Sequence, residues 1–482
     1  MTALHFQSAT ALAQAIRTGA VGARELLEHF LVRVDQLNPA LNAIIQQDRA
    51  GARSRADHAD QMRSRGEPLG PLHGVPMTIK ESYDFAGMPT TWGVPEQRNN
   101  IAHTHALAVQ RLLAAGANVF GKTNVPIRLA DFQSYNSIYG TTNNPWHHGR
   151  TPGGSSGGSA AALAAGLTGL EIGSDIGGSI RNPAHFSGVF GHKPTWNLVP
   201  PRGHALGGTL TPTDISVIGP LARSAFDLET ALRLMAGPDA FEANGIAYEL
   251  ANLDRPLSEL RIAVWNTDAL CPSSAAVAGR VDSVAAALAR EGAFIDHAAR
   301  PEFSAEHSHE VFSALLSAAM SARLPDDDFA LLTRHADDLA HTDTRPGAQQ
   351  LRWQTMRSRD WAGVNEARTK IRWAWHAFFR KFDFLLAPIM PTTAFPHDHR
   401  AAAERSVDID GQPFAYFDQT FWAGLAGVAY LPVTVVPTGP ARDGLPIGVQ
   451  IIGPAYGDIR TIQLAQRLEQ LGFAFVPPPA CV

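Results

Sequence analysis

Lysine is nearly missing from this sequence. Of 40 basic residues only five are lysine, at positions 80, 122, 193, 370 and 381. Arginine keeps its proton in proteins whereas a buried lysine can lose it, so an arginine-rich chain is expected to keep lysine where a base must deprotonate. Cysteine is equally scarce. Cys271 and Cys481 lie far apart with no partner pattern, which excludes a disulfide framework and argues against a thiol or zinc site. The longest run of small apolar residues, Ser159 to Leu170, is too short to span a bilayer, so no membrane partner is expected. The N-terminal stretch lacks the basic, apolar and small-residue succession of a signal peptide, and a cytoplasmic location is the expectation. A formal net charge of −5 without a basic patch speaks against nucleic acid as a partner.

What is present is α/β patterning. Leu26, Leu27, Phe30, Leu31, Val34 and Leu37 follow a helical period that Asn38-Pro39 should end. Strands are expected at 75–79, 118–120, 170–172, 261–265, 294–295, 384–387, 433–436 and 449–452. Helices are expected at 106–115, 160–167, 225–235 with Ser224 as N-cap, 281–290 and 458–471. Residues 302–352, with Asp326-Asp327-Asp328, lose this rhythm and read as peripheral helices and loops forming a substrate lid. No repeat or linker divides the chain, so residues 1–482 are expected to form one large α/β domain. Trp373, Trp375, Phe378 and Phe379 have helical spacing and read as core. The histidine pairs 103/105, 147/148, 307/309 and 397/399 lack metal-ligand spacing and read as solvated surface.

Two glycine-rich segments carry serines. Thr151 to Ser159, TPGGSSGGS, contains G-x-S-x-G twice, yet a polar loop precedes it where a nucleophile elbow requires a strand. It leads directly into a helix, which a flexible linker would not, and it has no lysine for a phosphate loop. Gly173 to Arg181, GSDIGGSIR, does follow a short strand, and Gly177 and Gly178 allow bare N–H groups to approach a carbonyl.

Together with Lys80, which ends the apolar stretch GVPMTIK, these segments resemble the amidase signature family in order and in serine spacing. The segments 121–124, 140–145, 191–195 and 444–450 are similar to further landmarks of that family, and Lys122 and Lys193 fall within them. The resemblance implies a central mixed β-sheet covered by helices on both faces. It implies a Ser-Ser-Lys triad with Ser179 as nucleophile, Ser155 as bridging serine entered by a cis peptide bond, and Lys80 as base. The N–H groups of Ile176, Gly177, Gly178 and Ser179 would form the oxyanion hole, Asp175 and Arg181 would fix the loop, and Ser156 would bond near Lys80. Trp92, Phe132, Tyr135 and Trp422 are expected either to line the pocket or to belong to the core.

The implied activity is hydrolysis of the carbon–nitrogen bond of small or moderately apolar amides through an acyl-enzyme. No metal or cofactor is expected, the partner is a small-molecule amide, and a homodimer is the expected assembly. An esterase or carbamate hydrolase with the same triad, an amidase-type component of the tRNA-dependent glutamine amidotransferase, and an inactive binding protein are the alternatives. Lys80→Arg separates a base from a charge that merely braces a loop. Because guanidinium does not give up its proton, the variant is expected to lose about two to four orders of magnitude in turnover. Substantial turnover by a Lys80→Arg protein with a parental thermal melt would remove Lys80 as the base.

Overall fold

Alternation along the central strands decides the layering. In Phe384–Pro388, Phe384 and Leu386 enter one apolar layer while Leu385 and Ala387 enter another. In Arg261–Val264, Ile262 and Val264 join the first layer and Ala263 the second. Strands with two apolar faces need cover on both. Helices Ala225–Met235, Ala275–Arg290 and Asp458–Gln470 give Leu228, Val281 and Ile459 to the first layer. Helices Ala305–Ser321, Ser358–Phe378 and Thr420–Gly427 give Phe312, Trp375 and Phe421 to the second. The computed structural model describes residues 3–206, 208–340 and 342–482.

The main sheet has eight strands. Their spatial order is Phe294–Asp296, Arg261–Val264, Phe384–Pro388, Pro446–Ile452, Val433–Pro440, Phe190–Lys193, Val217–Ala222 and Glu171–Asp175. The first three are parallel neighbours and every later pairing is antiparallel. The sheet is therefore mixed, as the resemblance implied.

A second sheet of three strands, Ile44–Gln47, Asn118–Thr123 and Pro76–Lys80, docks along the edge strand Glu171–Asp175. The Gly169 N–H donates to the Pro76 carbonyl and the Thr78 N–H to the Thr168 hydroxyl, both at 2.9 Å, and the Thr78 hydroxyl donates to a Glu171 carboxyl oxygen. The contacts of Pro76 with Gly169, Thr78 with Glu171 and Lys80 with Ser174 ascend together along the two chain segments. Pro76–Lys80 and Glu171–Asp175 therefore run the same way, and their C-terminal ends meet.

The structure departs from the sequence reading at two places, the end of helix Ala23–Leu41 and the exposure of Trp373. Helix Ala23–Leu41 runs through Pro39, which stands in its last turn and costs one backbone N–H, and the Asn38 side chain caps the residues that follow. The Asn38 Oδ1 accepts the N–H groups of Ala43 and Ile44 at 3.0 and 2.9 Å, and Asn42 then leaves the helix with φ of 50°. Residues 302–352 are mostly helical, as Ala305–Ser321, Asp326–Asp337 and Pro346–Gln354. Asp326 to Asp328 form a helix's first turn, where negative charge is favoured. Among the aromatics on Ser358–Phe378 and beside it, Trp375 and Phe378 are core, but Trp373 is 67% exposed. No helix among the described residues is long and apolar enough to cross a membrane.

Glu171 makes the seam sensitive to pH. Burial pushes its carboxyl from 4.5 up to about 8, although hydrogen bonds from Thr78 and Ser159 oppose the shift. Between those values the unfolded chain has lost the proton and the folded chain keeps it, so stability falls as pH rises. The slope from this one group approaches about 1.4 kcal/mol per pH unit. Urea denaturation at pH 5, 6.5 and 8 is expected to show a shallower loss for Glu171→Gln than for the parent. Equal slopes would exclude the carboxyl as the cause.

Candidate active site

Lys80 ends its strand with a fully buried side chain. Its Nζ lies 2.6 Å from the Ser155 Oγ, 2.9 Å from the Ser174 Oγ and 3.0 Å from the Ser156 Oγ. Burial pushes its pKa well below the usual lysine value, while the charges of Asp175 and Glu81 pull the other way. Neither carboxylate reaches the ammonium directly, and among the described residues Lys80 has no ion pair. Hydroxyls are its whole hydrogen-bonding environment among those residues.

The positions of the hydroxyl protons follow from the remaining bonds. Ser156 accepts from the Ser174 N–H and donates to the Ser174 carbonyl, each at 3.3 Å. Its oxygen therefore receives a proton from Lys80. The Ser155 hydroxyl has no other partner among the described residues and is free to donate to a neutral amine.

Glycine is required around Ser155 by space. A Cβ on Gly154 would lie 2.3 Å from the Asp131 carbonyl oxygen, and one on Gly158 would lie 2.4 Å from the Asn124 nitrogen. The Gly154–Ser155 peptide is cis. Asn182 clamps Gly154, accepting its N–H and donating to its carbonyl, and helix Gly157–Ala164 starts two residues after Ser155.

The second loop is wound around a buried carboxylate. Asp175 accepts the N–H groups of Gly178 at 2.9 Å, Ile180 at 3.1 Å and Arg181 at 3.3 Å. Arg181 also grips it with two guanidinium N–H groups, at 3.0 and 2.9 Å, and both side chains are fully buried. Burial alone would raise the Asp175 carboxyl, but the Arg181 charge and hydrogen bonds hold it down at about 2. The Ser156 N–H donates to the Ser179 carbonyl at 3.1 Å, which ties the two serine loops together.

One expected oxyanion donor is turned away. The Gly178 N–H points inward to Asp175, with φ of 114°, whereas Ile176, Gly177 and Ser179 line a cavity of about 740 Å³. Ser179 also lines a second cavity of about 270 Å³, together with Ser155, Ser174 and Trp92. Phe132 lies in the wall of the larger one.

Two of the four aromatic candidates fall outside both walls. Trp422 is fully buried, packs on Phe421 and Trp265, and donates its indole N–H to the Cys271 carbonyl at 3.1 Å. Its helix is apolar all round, so it is core. Tyr135 stacks on His399, and its hydroxyl reaches Asp131 at 3.3 Å from behind the cavity. His309 corrects the surface assignment of its pair, because it lines the larger cavity and packs on Phe421.

Sequence reading missed Ser174 and His204. Ser174 stands one residue before Asp175 in a strand that runs on to Asp175, so extending the expected strand would have exposed it. His204 lies far from every motif, and no pattern marks it. Its ring bonds the Ser82 hydroxyl at 2.9 Å, and burial, with Lys80 adding to it, pushes its pKa down to about 3.

Comparison with known proteins gives the class. The family model described as Amidase matches residues 25–462. The chain belongs to the amidase family, within the amidase signature enzymes, a class that hydrolyses amide carbon–nitrogen bonds. It is 32% identical to the indoleacetamide hydrolase of Bradyrhizobium diazoefficiens, over 96% of this chain and 86% of that one. It is 30% identical to a glutamyl-tRNA(Gln) amidotransferase subunit of Synechococcus sp. (strain CC9605), over 97% and 96%. A solved structure described as a vestigial protein complex revealing the origins of an s-triazine catabolic enzyme aligns with a TM-score of 0.82 at 28% identity, over 97% of this chain and 99% of that one. A bacterial aryl acylamidase shares the fold, with a TM-score of 0.81 at 22% identity over 99% of each chain.

Proposed function

We propose that this protein hydrolyses small or moderately apolar amides through an acyl-enzyme on Ser179. The observation that carries this reading is the 2.6 Å contact between a buried lysine and Ser155, on a cavity wall that also bears Ser179. Neutral Lys80 takes the Ser155 proton while Ser155 takes the proton of Ser179, whose oxygen attacks the amide carbon. The N–H groups of Ile176, Gly177 and Ser179 receive the oxyanion. Ser155 then delivers a proton to the departing nitrogen, and water releases the acyl group by the same route. The helices of residues 302–352 act as a lid over the larger cavity. Asp175, Arg181, Ser156 and Ser174 position the triad and do not react.

Esters and carbamates are open to the same triad, since an easier leaving group demands less of it. The indoleacetamide hydrolase relative supports amide hydrolysis, and the amidotransferase subunits matched at 30 to 32% identity keep an amidotransferase component as the second reading.

Ser179→Ala is expected to lower turnover of a susceptible anilide by about three to six orders of magnitude and to abolish labelling by a fluorophosphonate. Near-parental hydrolysis by that variant would overturn the assignment. A second check is pH. Below its depressed pKa Lys80 is protonated and cannot act as base, so kcat/KM is expected to rise with pH and level off in the neutral to alkaline range. A profile that falls steadily from pH 6 to 9 contradicts the mechanism.

A further inference from the structure

Charge is divided across Ser179. The larger cavity is bordered by Glu306, Glu310 and Asp418, and also by Asp131, which is already held by Arg405 at 2.7 Å and the Tyr416 hydroxyl at 2.6 Å. Among the described residues no lysine or arginine lines it. The smaller cavity is bordered by Arg128 and Arg323, and among the described residues no carboxylate lines it. Both guanidinium groups are weakly engaged. Arg128 stands 3.8 Å from the exposed Asp328, and among the described residues Arg323 has one bond, to the Thr211 carbonyl at 3.1 Å. Arg128 and Leu129 are both held at positive φ, 52° and 58°, with the Arg128 N–H fixed to the Trp92 carbonyl at 2.7 Å. A backbone so constrained at a cavity wall marks a side chain whose direction matters.

The proton relay tells the two cavities apart. Ser155 protonates the departing nitrogen, so the amine half of the substrate lies on the Ser155 side, and Ser155 lines the smaller cavity but not the larger. We propose that the amine half carries a carboxylate, which Arg128 and Arg323 hold in the smaller cavity. The substrate class is then an N-acylated amine bearing an acid group, and the acyl half enters the larger, mainly apolar cavity. Glu306, Glu310 and Asp418 repel the same anion from that cavity, so attraction on one side and repulsion on the other set which way round the amide binds. This inference rests on the amidase reading for the direction of the bond, but the site for an anion does not.

Three amides of matched size test it. Benzanilide is neutral, N-benzoyl-4-aminobenzoate has the carboxylate on the amine half, and N-phenylterephthalamate has it on the acyl half. The expected order of kcat/KM is the amine-side acid first, benzanilide second and the acyl-side acid last. In Arg128→Gln/Arg323→Gln the advantage of the first over the second is expected to fall by about tenfold or more, mostly through KM. Equal rates for the first two in the parent, preference for the acyl-side acid, or a ratio unchanged in the double variant would each overturn the proposal. A binding measurement is independent of turnover. By calorimetry on the Ser179→Ala protein, 4-aminobenzoate is expected to bind about tenfold more weakly once both arginines are replaced, and more weakly in high salt. Unchanged binding overturns the anion site. Loss of fluorophosphonate labelling and of all hydrolysis in the parent would instead overturn the amidase reading. Arg323 is exposed, so Arg323→Gln alone serves if the double variant does not fold.

Discussion

Everything at this site depends on the removal of Lys80 from water. An ammonium in the interior is strongly disfavoured unless a carboxylate or several fixed acceptors compensate it. The fold withholds a paired carboxylate and surrounds the amine with hydroxyls, which can donate as well as accept. Asp175, the nearest carboxylate by charge, is already closed by Arg181 and three backbone N–H groups, so it cannot turn toward the amine. The Asp175–Arg181 pair thus serves two ends at once. It winds the loop that presents Ser179, and it keeps the Asp175 carboxylate from pairing directly with Lys80.

The seam between the two sheets is what makes this burial possible. Lys80 stands at the end of a strand of the small sheet, and Ser174 at the end of the edge strand of the large one. Because the two strands run in the same direction, their ends deliver the amine and the serine loop to one place. A carboxyl placed mid-seam, Glu171, stays protonated and adds no charge at neutral pH. Helix Gly157–Ala164 closes the arrangement from the side with small residues at every position but Leu163, which lets its N-terminal turn press against the chain at Asn124.

Much of this was legible in the sequence, and the parts that were not share a cause. The helix at 225–235 with its Ser224 cap and the strands near 384 and 449 follow from local periodicity and capping, and they fall where expected. The first serine loop was legible because backbone presses on Gly153, Gly154 and Gly158, and the second because Gly178 turns at a positive φ. Trp422 and Tyr135 stood open between pocket and core, and His309 was misassigned, because residue type does not tell a pocket wall from a core. Only tertiary packing puts Trp422 behind the wall and His309 within it. Arg128 and Arg323 were invisible for the same reason, since nothing local distinguishes them among so many arginines.

The scarcity of lysine was a sound clue to burial but not by itself to catalysis. Lys80, Lys122 and Lys193 are all buried, and Lys370 and Lys381 are exposed. Burial pushes Lys122 down to about 8 and Lys193 to about 7, so a depressed pKa does not single out Lys80. Their partners do. Lys193 donates to the carbonyls of Pro194 and Leu431, and Lys122 to the Pro89 carbonyl and the Thr90 hydroxyl. A carbonyl can only accept, so it favours the protonated amine, and a compact ammonium fits such cages better than a planar guanidinium. Lys80 faces hydroxyls alone, and a hydroxyl can reverse its bond and hand its proton to the amine. The same burial thus yields a brace where the neighbours are carbonyls and a base where they are serines.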